Sequence, residues 1–329
     1  RWRPGRALRS ASKDSRSAVV ALRELLLQHG ESELRALGVH GFWELGRQGV
    51  WAVLHELQHK VHHSGACPDG FFLFQTNAEP SYGVCTPLSS KAAVDWGWKH
   101  FLDVMLINGR WRDCDPLHSL AVKSNVAHIN QAAAVDVGFN TGACTSYLLA
   151  MGIKVHALDP DAESCDVLRG AAWEAEEAGS LKVHFAAASD LERPGTSATV
   201  APTVRLDRLL GSEPGPLLLK IDVEGDEQAV LRGAYGLFHT GRVRALTMEL
   251  HRRLLQDMGV DPWEPLDFLL KAGFKVEILP WYFREDDSSG TYEVTSAEGF
   301  RALADELEVR EGSNFQVIAT LPPKLWKTA

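Results

Sequence analysis

The sequence predicts an α/β protein built on a mostly parallel, doubly wound sheet, and two segments carry this prediction. The first, AAAVDVGFNTG at residues 132–142, is an apolar run that leads through an aspartate into a glycine-containing turn. The second, LLLKIDVEG at residues 217–225, is an apolar run that ends in two carboxylates and a glycine. Each run is typical of a buried parallel strand whose carboxyl end lies at the ligand-binding edge of such a sheet.

The spacing after the first turn indicates a nucleoside cofactor. Asp159 ends a further short apolar run and lies 23 positions after Asp136, the βαβ distance at which a carboxylate binds ribose hydroxyls. The turn Gly138-Phe139-Asn140-Thr141-Gly142 lacks the middle glycine of the dinucleotide fingerprint. Asp136 would repel a pyrophosphate but suits the cationic amino-acid end of S-adenosylmethionine. We therefore expect S-adenosylmethionine rather than NAD.

An ordered set of motifs resembles the class I methyltransferases, and among them the FkbM-type family. The motifs are VDVGFNTG (135–142), HALDPD (156–161), AAASD (186–190), VRLDRLL (204–210), LLKIDVEGDEQAVLRGA (218–234), TMELH (247–251) and FQVIATLP (315–322). The resemblance implies a Rossmann-like class I methyltransferase fold with a seven-stranded, mostly parallel sheet and a reversed last strand. It also implies methyl transfer from S-adenosylmethionine to an oxygen, often a hydroxyl of a sugar or other small molecule.

The candidate cofactor-binding residues lie at the ends of predicted strands or in the turns that follow them. Ser189 and Asp190 follow a third predicted strand, at 183–188. They are Asp136, Gly138, Asn140, Gly142, Asp159, Ser189, Asp190 and Asp222. The candidate catalytic residues end the fourth and fifth strands. They are Asp222, Glu224, Glu249 and His251.

Two mechanisms stay open for these catalytic residues. His251 has the ordinary pKa of a general base, and Asp222 or Glu249 is able to orient its ring. Alternatively, Asp222, Glu224 and Glu249 gather a divalent metal ion that binds a diol acceptor.

The composition and the missing motifs restrict the classes of partner that the chain is expected to bind. A net charge of −9 argues against a nucleic-acid interface, which needs a basic face. No apolar run approaches the roughly 18 residues of a membrane helix. The sequence also lacks the N/D-P-P-Y/F motif of exocyclic-amine methylation after the fourth strand. We therefore expect a small-molecule or glycan acceptor.

Three parts are predicted along the chain: a basic flexible tail at 1–17, a mainly helical region at 18–130, and the methyltransferase domain at 131–329. A strand is expected at 71–74. The basic tail leaves the compartment open between the cytoplasm and an organelle or secretory lumen. Cys67 and Cys85 flank the short strand and pair if the protein is secretory, whereas Cys144 and Cys165 are expected to be buried thiols.

Two other function classes remain as alternatives. His55-Glu56-Leu57-Gln58-His59 is an H-E-x-x-H motif, which on a helix can bind zinc and hydrolyse a substrate. The extended H-E-x-x-H-x-x-G-x-x-H pattern fails, because His62 and Gly65 stand where that pattern needs glycine and histidine. The second alternative is a catalytically silent cofactor-fold protein that acts as a binding module.

Overall fold

A computed structural model of the chain describes residues 67, 71–76, 78–87, 111–197, 199–279, 291–296, 298–301 and 314–326. The predicted basic tail, the part of the predicted helical region before residue 67 and the H-E-x-x-H motif lie outside these residues. The chain divides into two compact units, Arg1–Arg112 and Asp113–Ala329. The three-part division drawn from the sequence stays a prediction. No helix among the described residues is long and apolar enough to cross a membrane.

The described part of the first unit contains a β-hairpin. Strands β1 (Phe71–Gln75) and β2 (Gly83–Pro87) pair in antiparallel fashion, which confirms the strand expected there. A disulfide joins Cys67 to Cys85 in β2. The structure thus contains the Cys67–Cys85 pairing, which the sequence predicted only for a secretory protein.

The second unit alternates strands and helices. Its strands are β3 (Ala133–Val137), β4 (Lys154–Asp159), β5 (Leu181–Phe185), β6 (Ala187–Ala188), β7 (Thr203–Val204), β8 (Leu217–Ile221), β9 (Val243–His251), β10 (Lys275–Leu279), β11 (Tyr292–Val294) and β12 (Asn314–Thr320). Its helices are α1 (Asp115–Lys123), α2 (Ala143–Ala150), α3 (Ala162–Ala171), α4 (Trp173–Glu177), α5 (Leu206–Leu209), α6 (Glu227–Gly233), α7 (Tyr235–His239), α8 (Arg252–Asp257) and α9 (Glu264–Lys271).

The main sheet has eight described strands in the order β11-β10-β12-β9-β8-β3-β4-β5. Strands β5, β4, β3, β8 and β9 run parallel, and β12 lies antiparallel between β9 and β10. The mostly parallel sheet with a reversed last strand is confirmed. The predicted count of seven strands is wrong, because β11 pairs with β10 and adds a strand at that edge.

The centre of the sheet is buried on both faces. All residues of β3 and β8 are buried, as expected for parallel strands covered by helices. The core also includes Trp263, Phe300 and Phe315, whose rings meet edge to face. Burial on both faces explains why these strands appear in the sequence as continuous apolar runs.

A second disulfide joins Cys114, which precedes α1, to Cys144 in the first turn of α2. The expectation that Cys144 is a buried thiol is therefore wrong. The sequence could not reveal this bond because 30 positions separate the two cysteines, and the fold alone brings α1 and α2 together. Cys165 is a free, buried thiol, as predicted.

Candidate active site

The glycine turn after β3 needs its glycines for steric reasons. Gly138, Asn140 and Gly142 all have left-handed backbones, with φ of 75°, 50° and 76°. A Cβ on Gly138 would lie 1.7 Å from the backbone oxygen of Asp222. The Gly138 amide donates to the carbonyl of Leu158 at 2.8 Å. The turn is therefore pressed between the carboxyl ends of β4 and β8.

Asp159, the last residue of β4, is attached directly to this turn. Its Oδ2 accepts a hydrogen bond from the backbone N–H of Asn140, and its Oδ1 accepts one from Asp161, both at 2.9 Å. Burial raises the pKa of Asp159, although these two donors favour its ionised form. The structure thus brings together Asn140 and Asp159, two residues that the sequence predicts to bind the cofactor.

Asp136 lies inside β3 and is fully buried. Its Oδ2 accepts a hydrogen bond from the Thr145 hydroxyl at 2.7 Å, and its Oδ1 lies 3.2 Å from Nζ of Lys220. Asp136 is therefore held by a charge pair and a hydroxyl, which compensate its burial. Its side chain lies within the fold beneath the turn that it precedes.

Lys220 is a site residue that the sequence interpretation missed. Its ammonium lies 3.4 Å from Oδ2 of Asp222 and donates to the carbonyl of Gly138 at 2.7 Å. Burial lowers the pKa of Lys220, but Asp136 and Asp222 outweigh burial and raise it above the ordinary value. The signal was a single charge inside the apolar run LLLKI.

The candidate catalytic residues gather at the ends of β8 and β9, which are parallel neighbours. His251 is buried, and its Nε2 lies 3.4 Å from Oε2 of Glu224 and 3.5 Å from Oε1 of Glu249. One ligand atom each from Asp222, Glu224 and His251 lies within 4.8 Å of the others. The four predicted catalytic residues therefore form one cluster.

Glu227 is the second residue that was missed, and it orients the imidazole. Its Oε1 lies 2.6 Å from Nδ1 of His251 and accepts the N–H of Gly225 at 3.1 Å. Glu227 is fully buried at the start of α6. The ring is thus oriented through Nδ1 by Glu227, not by Asp222 or Glu249 as the sequence interpretation expected.

The charges and burial in this cluster give His251 and Glu249 different protonation states at neutral pH. Burial lowers the pKa of His251, but the hydrogen bond to Glu227 and the charges of Glu249, Glu227 and Glu224 raise it to about 9. Burial and the charge of Asp222 raise the pKa of Glu249 to about 7. At neutral pH His251 is therefore a cation, whereas Glu249 titrates.

Asp113 is a further acidic residue that acts on the cluster, and the sequence did not predict it as a site residue. It lies in the 3-10 turn Arg112–Cys114, beside the disulfide-bonded Cys114. Its charge helps to raise the pKa of both Lys220 and Glu249. The segment before α1 therefore contributes a negative charge near the cluster.

Ser189 and Asp190 follow β6, which pairs with β7 in a separate two-stranded sheet. The strand predicted at 183–188 is therefore wrong in its bounds, since β5 ends at Phe185. The Ser189 hydroxyl contacts its neighbour Asp190 at 3.4 Å, and the Asp190 carbonyl accepts from Arg205 at 3.2 Å. A role for Ser189 and Asp190 at the cofactor stays a prediction.

The sheet order, the glycine turn after its central strand and the acidic strand ends define a Rossmann-like class I methyltransferase fold. Residues 113–276 match the family described as the methyltransferase FkbM domain. Through this segment the chain belongs to the FkbM methyltransferase family.

Solved structures with some similarity include methyltransferase FkbM from Methylobacillus flagellatus, at 12% identity and a TM-score of 0.37. That match covers 57% of this chain and 43% of the other, so the similarity spans less than half of the bacterial protein. A precorrin-6y C5,15-methyltransferase from Geobacter metallireducens matches at 11% identity and a TM-score of 0.32, covering 62% and 87%. An rRNA methylase from Streptococcus thermophilus matches at 12% identity and a TM-score of 0.31, covering 61% and 95%. None of the curated proteins compared matches the chain.

Proposed function

We propose that this methyltransferase uses S-adenosylmethionine to methylate a hydroxyl of a sugar or other small molecule. The observation that carries the proposal is the juxtaposition of two features at one sheet edge. The glycine turn and Asp159 lie at the ends of β3 and β4, and the cluster around His251 lies at the ends of β8 and β9. The residues proposed to bind the cofactor and those proposed to accept the proton therefore lie side by side.

The residues at the turn fit S-adenosylmethionine. A Cβ on Gly138 would clash with the Asp222 carbonyl oxygen, so glycine lets the turn pack against the end of β8, beside which the cofactor would bind. Asp159 offers a carboxylate held by two backbone donors, which suits a ribose diol. Asp222, at the end of the neighbouring strand, would attract the cofactor's positive charge. When bound, S-adenosylmethionine supplies a methyl group on a sulfonium that leaves as a neutral thioether.

The chain's own contribution to the reaction is alignment and proton removal. The acceptor oxygen would take the methyl group while the cofactor's sulfur would keep the electron pair of the carbon–sulfur bond. The hydroxyl proton must then move to a base. Glu249, with a pKa of about 7, is the group best matched to accept it at neutral pH. His251, with a pKa of about 9, already holds a proton there.

The charge of the site supports a small-molecule or glycan acceptor rather than a nucleic acid. Asp222, Glu224 and Glu249 converge on the same edge, and the chain carries a net charge of −9. Such a field repels phosphates and favours neutral hydroxyl compounds.

A methyl-transfer screen tests this proposal. The full chain would be incubated with labelled S-adenosylmethionine and glycans, polyketide-like alcohols, small phenols and RNA. We expect label on a hydroxyl compound and a loss of transfer of at least tenfold in Glu249→Gln, with Glu163→Gln, a change at an exposed residue of α3, as the matched control. Label confined to RNA would contradict the acceptor class. Binding of S-adenosylmethionine without transfer to any acceptor would favour a silent binding module.

We also propose that the protein matures in an oxidising compartment. Two disulfides, Cys67–Cys85 and Cys114–Cys144, support this assignment, because structural disulfides are rare where glutathione keeps thiols reduced. Hydroxyl-rich glycans are also acceptors that such a compartment would offer.

A further inference from the structure

Three possible metal ligands converge from two neighbouring strand ends. Asp222 and Glu224 follow β8, and His251 is the last residue of β9. One atom from each lies within 4.8 Å of the other two. A single cation can therefore contact all three with small side-chain adjustments, given usual ligand distances of about 2.0–2.2 Å.

His251 is supported in the way that metal-binding histidines usually are. Its Nδ1 is held at 2.6 Å by Glu227, a fully buried carboxylate that is itself held by the N–H of Gly225. This bond fixes the ring and leaves Nε2 facing the carboxylates. A carboxylate on the far nitrogen is the outer-sphere support that orients a ligating imidazole.

The negative charges around the His251 ring exceed the positive charge that neighbouring side chains supply. Four carboxylates lie around this imidazole: Asp222, Glu224, Glu227 and Glu249. Lys220 contacts Asp222, but it also pairs with the buried Asp136. Grouped carboxylates at a partly buried site are unfavourable unless positive charge compensates them.

We infer that Asp222, Glu224 and His251 form a binding site for one divalent cation, which displaces the proton that Nε2 of His251 holds in the metal-free protein. Mixed oxygen and imidazole ligands suit Mn²⁺ or Zn²⁺ better than Ca²⁺ or Mg²⁺. His251 thus takes the place of Glu249 in the metal set predicted from the sequence, since Glu249 accepts a hydrogen bond from Asn314 at 3.1 Å. The role of the ion rests on the proposed function: three protein ligands leave positions for an acceptor hydroxyl, whose pKa the ion would lower beside Glu249.

Mn²⁺ titration of the full, metal-free chain tests the site without any cofactor or acceptor. The free Mn²⁺ signal in electron paramagnetic resonance reports the bound fraction. We expect one Mn²⁺ per chain, with affinity reduced about tenfold or more in Glu224→Gln and in Asp222→Asn. The side chain of Glu224 is 56% exposed, so its amide variant should fold. The matched control Glu163→Gln should bind as the parent does.

A second control addresses the H-E-x-x-H motif. The double change His55→Ala and His59→Ala should leave the stoichiometry and affinity unchanged. Binding lost in this double variant but retained in Glu224→Gln would overturn the inference, as would a parent that binds no Mn²⁺ at millimolar concentration.

Separate measurements distinguish failure of this inference from failure of the proposed function. Methyl transfer that resists chelator, in a protein that binds no Mn²⁺, would overturn the metal site and leave the methyltransferase proposal standing. Mn²⁺ bound as expected, with no transfer to any hydroxyl acceptor, would leave the metal site standing and remove its proposed role.

Discussion

Asp159 shows how a single buried carboxylate can be prepared for a ligand. Burial disfavours its charge and raises its pKa, while the N–H groups of Asn140 and Asp161 hold its two oxygens. Each carboxylate oxygen has a second lone pair. Fixed by the backbone, these lone pairs can accept hydroxyl groups without loss of side-chain freedom on binding.

The first prediction is that Asp159→Asn weakens S-adenosylmethionine binding. One carboxylate oxygen becomes an NH₂ group that must face either the Asn140 or the Asp161 donor. Loss of a charge-assisted hydrogen bond costs about 1.5–3 kcal/mol, or roughly 10- to 150-fold in affinity. Titration calorimetry measures this change, with Glu163→Gln as the control. An unchanged dissociation constant in a folded variant would remove Asp159 from the ribose site.

The second prediction concerns pH. Because the pKa of Glu249 is raised to about 7, its basic form accumulates as the pH rises through that value. In the metal-free protein we expect kcat/KM to increase up to an inflection near 7 and then level off. With His251 as the base, the inflection would instead lie near 9, the pKa to which its carboxylate neighbours raise it.

Glu249→Gln provides the control for that profile. It should remove the inflection near 7 and lower kcat by roughly 10²–10⁴-fold, while the affinity for S-adenosylmethionine stays near the parental value. An inflection that persists in the variant would assign the proton transfer to another group.

At the scale of elements, the turn after β3 depends on close backbone approach. Two glycines have almost the same left-handed backbone, Gly138 with φ of 75° and Gly152 with φ of 76°. A Cβ on Gly138 would meet Asp222 O at 1.7 Å, whereas a Cβ on Gly152 would meet no atom within 4 Å. The pair therefore separates backbone strain from steric clash.

The third prediction is that Gly138→Ala destabilises the protein far more than Gly152→Ala. The left-handed backbone alone costs about 1–2 kcal/mol with alanine, and only Gly138→Ala must also push β8 away from the turn. Chemical unfolding and S-adenosylmethionine titration measure both effects. We expect cofactor binding to be lost only in Gly138→Ala, so equal behaviour of the two variants would contradict the close approach.

The central strands were predictable from the sequence because they are buried on both faces. β3 and β8 are continuous apolar runs, and their parallel pairing places the following acids at one edge. The edge was harder to predict: β11 has three residues, and only its pairing with β10 makes it a strand. The division of this segment into two strands, β5 and β6, likewise depends on the pairing of β6 with β7.

The site could be predicted where residues follow strand ends and could not where contacts are long-range. Asp159 ends a strand that the apolar pattern revealed, and His251 ends a strand that the family resemblance indicated. Lys220 contacts Gly138 across 82 positions, and Glu227 contacts His251 across 24. Neither spacing has a local signal, so only the folded sheet shows which residues Lys220 and Glu227 contact.

At the scale of the whole molecule, each of the two compact units contains a disulfide. Cys67–Cys85 staples the hairpin of the first unit, and Cys114–Cys144 ties α1 to α2 in the second. The second bond closes a loop of 30 positions and is expected to stabilise the fold by about 3–4 kcal/mol. It also secures Asp113 and the glycine turn, which flank its two cysteines.

The last prediction follows from this pairing. The chain has five cysteines, and Cys165 is the free thiol among them. Protein made in a secretory lumen and denatured without reductant should therefore show one reactive thiol per chain, rising to five after reduction. The double change Cys114→Ser and Cys144→Ser should keep the count at one but lower the free energy of unfolding by about 3–4 kcal/mol. It should also weaken S-adenosylmethionine binding, because α2 and its preceding turn lose their tie to α1. Five reactive thiols in the unreduced parent protein, together with unchanged stability and cofactor affinity in the double variant, would place maturation in a reducing compartment.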